Sequence, residues 1–106
     1  MPPLMHADDA PGPILVGLPG TELDRSGREL LRHPAGGGVV LFTRNFAERE
    51  QLLRLVTDIR AVRDPRLLVC IDQEGGRVQR LRDGFTRLPP LRALGRVHTE
   101  DPRKAL

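Results

Sequence analysis

Three short apolar runs, each cut off by polar residues and separated by stretches of helical character, constrain this chain more than any other feature. Ile14-Leu15-Val16-Gly17-Leu18 closes at Pro19-Gly20, a strong turn signal. Val39-Val40-Leu41-Phe42 runs into Thr43-Arg44-Asn45, and Leu67-Leu68-Val69-Cys70-Ile71 runs into Asp72-Gln73-Glu74-Gly75-Gly76-Arg77-Val78-Gln79-Arg80. The last of these apolar runs reads as a strand buried on both faces, as in parallel sheets. Polar residues gathered at the carboxyl end of such a strand lie where open α/β sheets and α/β barrels bind ligands.

The intervening stretches read as helices. Asp24 is placed to cap a short one through about Arg32, with Leu23, Leu30 and Leu31 on its apolar side. Gly27 weakens that helix by roughly 1 kcal/mol relative to alanine. His33-Pro34-Ala35-Gly36-Gly37-Gly38 ends it, because proline cannot continue a helix and glycine serves the closing turn. Leu52, Leu55, Val56, Ile59 and Val62 then form one stripe of an amphipathic helix over residues 47–63. Asp64-Pro65 stops it, since the residue before proline is pushed out of the helical region.

The order strand, helix, strand, helix, strand with short connections predicts parallel βαβ units of an α/β fold. Residues 1–13, with three prolines, read as a flexible leader. Residues 83–90 read as a long loop, and Thr99-Glu100-Asp101-Pro102 as the start of a helix of which only four more residues follow. Three strands with two helices leave sheet edges unpaired, so the chain reads as the first part of a larger α/β protein, whether fragment or truncated gene product. On that reading, the chain alone is marginally stable or self-associating.

Composition narrows the function classes. The longest apolar runs fall far short of the roughly 20 residues that span a bilayer, and no signal peptide is evident at the N-terminus. The single cysteine, Cys70, excludes an internal disulfide framework and reads as an inert core thiol of a reducing compartment. The net charge of +3 comes almost wholly from arginine, but with three Phe and no Trp or Tyr the chain lacks stacking platforms for single-stranded nucleic acid. Gly75-Gly76 is not followed by Lys-Ser/Thr, which argues against a phosphate loop; the pair reads as a tight backbone turn.

The run Asp72-Gln73-Glu74-Gly75-Gly76-Arg77-Val78-Gln79-Arg80 resembles the signature of family 3 glycoside hydrolases, specifically the cytoplasmic β-N-acetylhexosaminidases of peptidoglycan recycling. Gly37-Gly38-Val39-Val40-Leu41-Phe42-Thr43-Arg44-Asn45-Phe46 and Gly84-Phe85-Thr86-Arg87-Leu88-Pro89 are similar to flanking segments of the same family, so the resemblance covers residues 14–106. It implies a TIM-type (β/α)8 barrel of which this chain holds the N-terminal part, about three βα units of a fold that needs roughly 250 residues. It also implies retaining hydrolysis of terminal β-linked N-acetylglucosamine from muropeptides. The implied cofactor set is none, with no nucleic-acid or membrane partner, a cytoplasmic location and a monomeric full-length form.

Two positions carry over as substrate-binding residues: Asp72, matching a strand-end aspartate that accepts from sugar hydroxyls, and Arg80, matching an arginine that contacts the sugar. Such charged groups bond sugar oxygens more strongly than neutral ones do, and buried together they would hold each other's charge. Asp72 and Glu74 resemble a two-carboxylate glycosidase pair, but the family does not use them so, and Glu74 is expected to orient the loop. The family's aspartate nucleophile and histidine acid/base lie beyond Leu106, which leaves no catalytic residue in this chain; His6, His33 and His98 do not inherit the role. Many relatives carry an aspartate near the end of the first strand, where this chain has Gly17. The competing reading is a non-catalytic or remnant module that binds anions or nucleic acid through the arginine-rich segment 77–96.

Overall fold

A computed structural model describes residues 10–105; His6 and most of the expected leader fall outside them. The chain divides into two compact units, one ending at Ile71 and one beginning at Asp72.

The first unit is a three-stranded parallel sheet with two helices. β1 (Ile14–Val16), β2 (Gly36–Leu41) and β3 (Leu68–Ile71) lie in that order, and α1 (Arg25–Arg32) and α2 (Arg49–Ala61) connect them. The expected βαβ alternation is therefore present. Asp24 caps α1 through a 2.7 Å bond from the Gly27 backbone N–H. The glycine has a purpose that propensity alone does not reveal, because a Cβ there would stand 2.9 Å from Leu23 Cδ1 and 3.2 Å from the capping carboxylate. The cap contributes about 1 kcal/mol, comparable to what the glycine costs.

β2 begins earlier than expected. Gly36–Gly38 do not form the closing turn of α1; they are the first half of the strand. The reason is distant in sequence: a Cβ on Gly37 would run into the Gly12 carbonyl, and one on Gly38 into the Leu68 carbonyl. Gly12 itself donates to the Gly36 carbonyl at 3.0 Å.

The core lies on one face of this sheet. Val39 and Leu41 pack with Leu31 of α1 and Leu55 and Ile59 of α2, joined by Leu18, Leu23 and Leu67. The other face carries Leu15, Val40, Leu68 and Cys70, and α1 and α2 do not pack on it; Leu68 is 59% exposed. Both connecting helices pack on one side, so α1 and α2 bury only one face of β3. Cys70 is half-buried, not a fully enclosed core thiol.

Buried amides complete this unit. Asn45, fully buried, donates to the carbonyls of Leu18 (3.0 Å) and Gly20 (2.7 Å) and accepts from Phe42 N–H (2.9 Å). Gln51 donates to Thr21 and Asn45 carbonyls and accepts from Ala47 N–H at 2.8 Å. Together they tie the segment after β1 to the segment after β2.

The second unit holds an antiparallel pair, β4 (Gln73–Gly75) and β5 (Val78–Gln79), then a loop and α3 (Leu91–Glu100). α3 was not expected. Its start follows Pro89-Pro90, and the anticipated helix start at Asp101-Pro102 is instead a short 3-10 turn over Pro102–Ala105, where Asp101 accepts from Arg103 N–H at 3.1 Å. No helix among the described residues is long and apolar enough to cross a membrane.

Ile59 is fully buried against the sheet. Ile59→Ala should therefore destabilise the first unit by about 2–5 kcal/mol, read as a lowered urea midpoint at unchanged slope.

Candidate functional site

The segment that follows β3 builds its geometry from a glycine turn. Gly75 and Gly76 adopt φ of 89° and 58°, values that side chains other than glycine rarely take, and they reverse the chain between β4 and β5. The expected tight turn is present. Its neighbours leave no room either: a Cβ on Gly75 would overlap the Pro89 carbonyl, and one on Gly76 would stand 3.0 Å from Pro90 Cβ. Gly76 N–H in turn donates to the Leu88 carbonyl at 3.0 Å.

Reversal fixes which residues face each other. Gln73 pairs with Gln79, so in an antiparallel ladder the next opposed residues are Asp72 and Arg80. Their side chains meet at 3.6 Å, Arg80 Nη2 to Asp72 Oδ2. The two residues singled out from the sequence are thus brought together. They are not buried: the side chains are 52% exposed for Asp72 and 36% for Arg80. That corrects the expectation of a buried pair. An ion pair with this much water contact contributes about 0–1 kcal/mol.

The loop is oriented by residues that the sequence reading passed over. Gln73 Oε1 accepts from Arg80 and Leu81 N–H at 3.1 and 3.3 Å, while its Nε2 donates to the Leu81 carbonyl at 2.9 Å. Gln79, 5% exposed, donates to the carbonyls of Leu81 (3.0 Å) and Thr86 (2.9 Å) and accepts from Leu88 N–H (3.0 Å). Glu74 is exposed and has no hydrogen bond or ion pair among the described residues, so the orienting role expected of it falls to the two glutamines. The signal was present as glutamines flanking Glu74-Gly75-Gly76 in a stretch where every other long polar side chain is charged.

The arginines of this segment are partly engaged by the segment itself. Arg80 meets Asp72, and Arg82 donates to the carbonyls of Gln79 (3.0 Å) and Arg77 (3.5 Å). His33 sits at the end of α1 and accepts from Ala35 N–H at 3.1 Å, a local structural contact, and His98 is exposed on α3. No group of three or more His, Cys, Asp or Glu among the described residues is arranged to hold a metal ion.

Comparison with known proteins shows the family to which the chain belongs. The glycosyl hydrolase family 3 N-terminal domain matches residues 14–105. A beta-hexosaminidase of Nitrosospira multiformis is 52% identical over 94 residues, which are 89% of this chain and 27% of that protein. Another, from Alkalilimnicola ehrlichii, is 54% identical over 94 residues with the same coverage of 89% and 27%. Among solved structures, NagZ from Neisseria gonorrhoeae in complex with N-trifluoroacetyl-D-glucosamine has a TM-score of 0.81 at 42% identity, covering 87% of this chain and 27% of that one. A family 3 beta-N-acetylglucosaminidase from Paenibacillus has a TM-score of 0.68 at 36% identity, covering 76% and 16%. The chain therefore spans about a quarter of the length of the curated relatives it matches.

Gln79→Leu should remove the loop's anchor and leave backbone groups at Thr86 and Leu88 without partners, costing about 1–3 kcal/mol. Hydrogen exchange should show it as faster exchange at Leu88 N–H, with amides of α2 unchanged.

Proposed function

The chain belongs to glycosyl hydrolase family 3, and from that premise we propose that it is the N-terminal part of a β-N-acetylhexosaminidase. On this reading β1, α1, β2, α2 and β3 are the first units of a TIM-type (β/α)8 barrel, and the segment after β3 stands at the barrel's ligand-binding end. The reaction is retaining hydrolysis of terminal β-linked N-acetylglucosamine from muropeptides in cell-wall recycling, in the cytoplasm. Asp72 accepts from sugar hydroxyls, and Arg80 donates to sugar oxygens.

The observation that carries the reading is the Asp72–Arg80 pair itself. A carboxylate and a guanidinium 3.6 Å apart, half in water and set by a rigid glycine turn immediately after a parallel strand, offer both acceptor and donor to a polyhydroxylated ligand. The bound amino-sugar derivative of the Neisseria gonorrhoeae relative supports the substrate class. The nucleophile and the acid/base are contributed from outside these residues, so this chain binds and the remainder of the barrel cuts.

The 106-residue chain alone should show no turnover of an aryl N-acetylglucosaminide; measurable hydrolysis by the pure chain would contradict this division of labour. A chimera in which residues 14–105 replace the matching segment of the Neisseria gonorrhoeae protein should hydrolyse that substrate. Introducing Asp72→Ala into the chimera should lower kcat/KM by roughly 10- to 100-fold, as for a lost charged hydrogen bond of about 1–3 kcal/mol. An unchanged kcat/KM would remove Asp72 from the site.

A further inference from the structure

We propose that Arg44, seated over Gly17 at the carboxyl ends of β1 and β2, is a receptor for a carboxylate-bearing ligand. The guanidinium is held on two sides. Its Nε–H donates to the Leu18 carbonyl at 2.9 Å, and its Cζ lies 4.6 Å from the centroid of the Phe42 ring. The Leu18 carbonyl is itself fixed by the buried Asn45 amide at 3.0 Å. The seat beneath it exists because residue 17 has no side chain: a Cβ there would stand 2.8 Å from Nη2. Gly17 is not among the glycines with positive φ, so its backbone does not call for glycine. What the missing side chain provides is space for the arginine.

This anchoring leaves one edge open. Nε is committed to Leu18, and among the described residues neither Nη1 nor Nη2 has an acceptor. The free edge therefore presents two parallel N–H groups in the guanidinium plane, to water. Two coplanar oxygens of a carboxylate match that edge in bidentate fashion. The ring covers one face of the guanidinium, so a ligand's oxygens are met along its open edge. An ordinary surface arginine must give up its rotamer freedom to bind; here stacking and the Nε bond have already restricted it. Placement at the carboxyl end of parallel strands is where such sheets bind ligands. All of these residues precede Asp72, so the inference does not rest on the sugar-binding reading.

Sodium acetate is the probe. It is titrated into the nitrogen-15-labelled chain against sodium chloride at equal ionic strength, with the Arg44 side-chain N–H resonances as readout. The expected result is a saturable shift with acetate and none with sodium chloride. Arg44→Gln should abolish the acetate response in the remaining resonances of Gly17, Leu18 and Phe42. Gly17→Asp should weaken acetate binding at least about tenfold, because its Cβ displaces the guanidinium from this seat and its carboxylate competes for the N–H groups. A non-saturating response in the parent chain, an equal response to sodium chloride, or an acetate response that survives Arg44→Gln would each overturn the proposal. If either variant does not fold, the parent titrations with acetate and chloride still decide.

Discussion

Loops at the carboxyl ends of parallel strands carry backbone groups with no ladder partner, and their satisfaction is the constraint on which this structure depends. Four neutral amides meet it. Asn45 and Gln51 gather the carbonyls of Leu18, Gly20 and Thr21 in the first unit, and Gln73 and Gln79 gather those of Leu81 and Thr86 in the second. Each also accepts from at least one backbone N–H. An amide suits the task because it donates and accepts without bringing a charge out of water; a carboxylate offers only acceptors and an ammonium only donors.

Uncharged side chains carry much of this scaffold, and arginines add to it: Arg44, Arg63 and Arg82 donate to the carbonyls of Leu18, Gly36 and Gln79. Asp72 and Arg80 form a half-exposed pair of small energetic value, and Arg44 rests on a ring and one carbonyl.

What could be read from the sequence follows the range of the interactions involved. The apolar runs, the Asp24 cap and the stripe on α2 are local patterns, and they located three strands and two helices within a few residues. Gly36–Gly38 looked like a helix stop because the carbonyls that demand glycine there belong to Gly12 and Leu68, remote in the chain. α3 escaped notice because Gly95 and a prolyl entry obscure a helix with no buried residue among those described. Asp72 and Arg80 were legible through family resemblance, and their antiparallel pairing supplied the geometry. Gln73 and Gln79 were overlooked because the eye goes to charges, whereas the loop is closed by neutral groups.

The glycines of β2 carry one more implication. A strand side chain normally reports its own alignment, since slipping by one residue sends it to the opposite face of the sheet. Gly36, Gly37 and Gly38 have no side chain to misplace, yet a slip that moved Val39 to the place of Gly38 would drive its Cβ into the Leu68 carbonyl. Alignment is written by exclusion at the start of the strand and by Val39, Leu41 and the Asn45 clamp at its end. The sheet is thus indexed from both ends of its central strand, and a change at Asn45 acts on one of the two features that keep the strands in step.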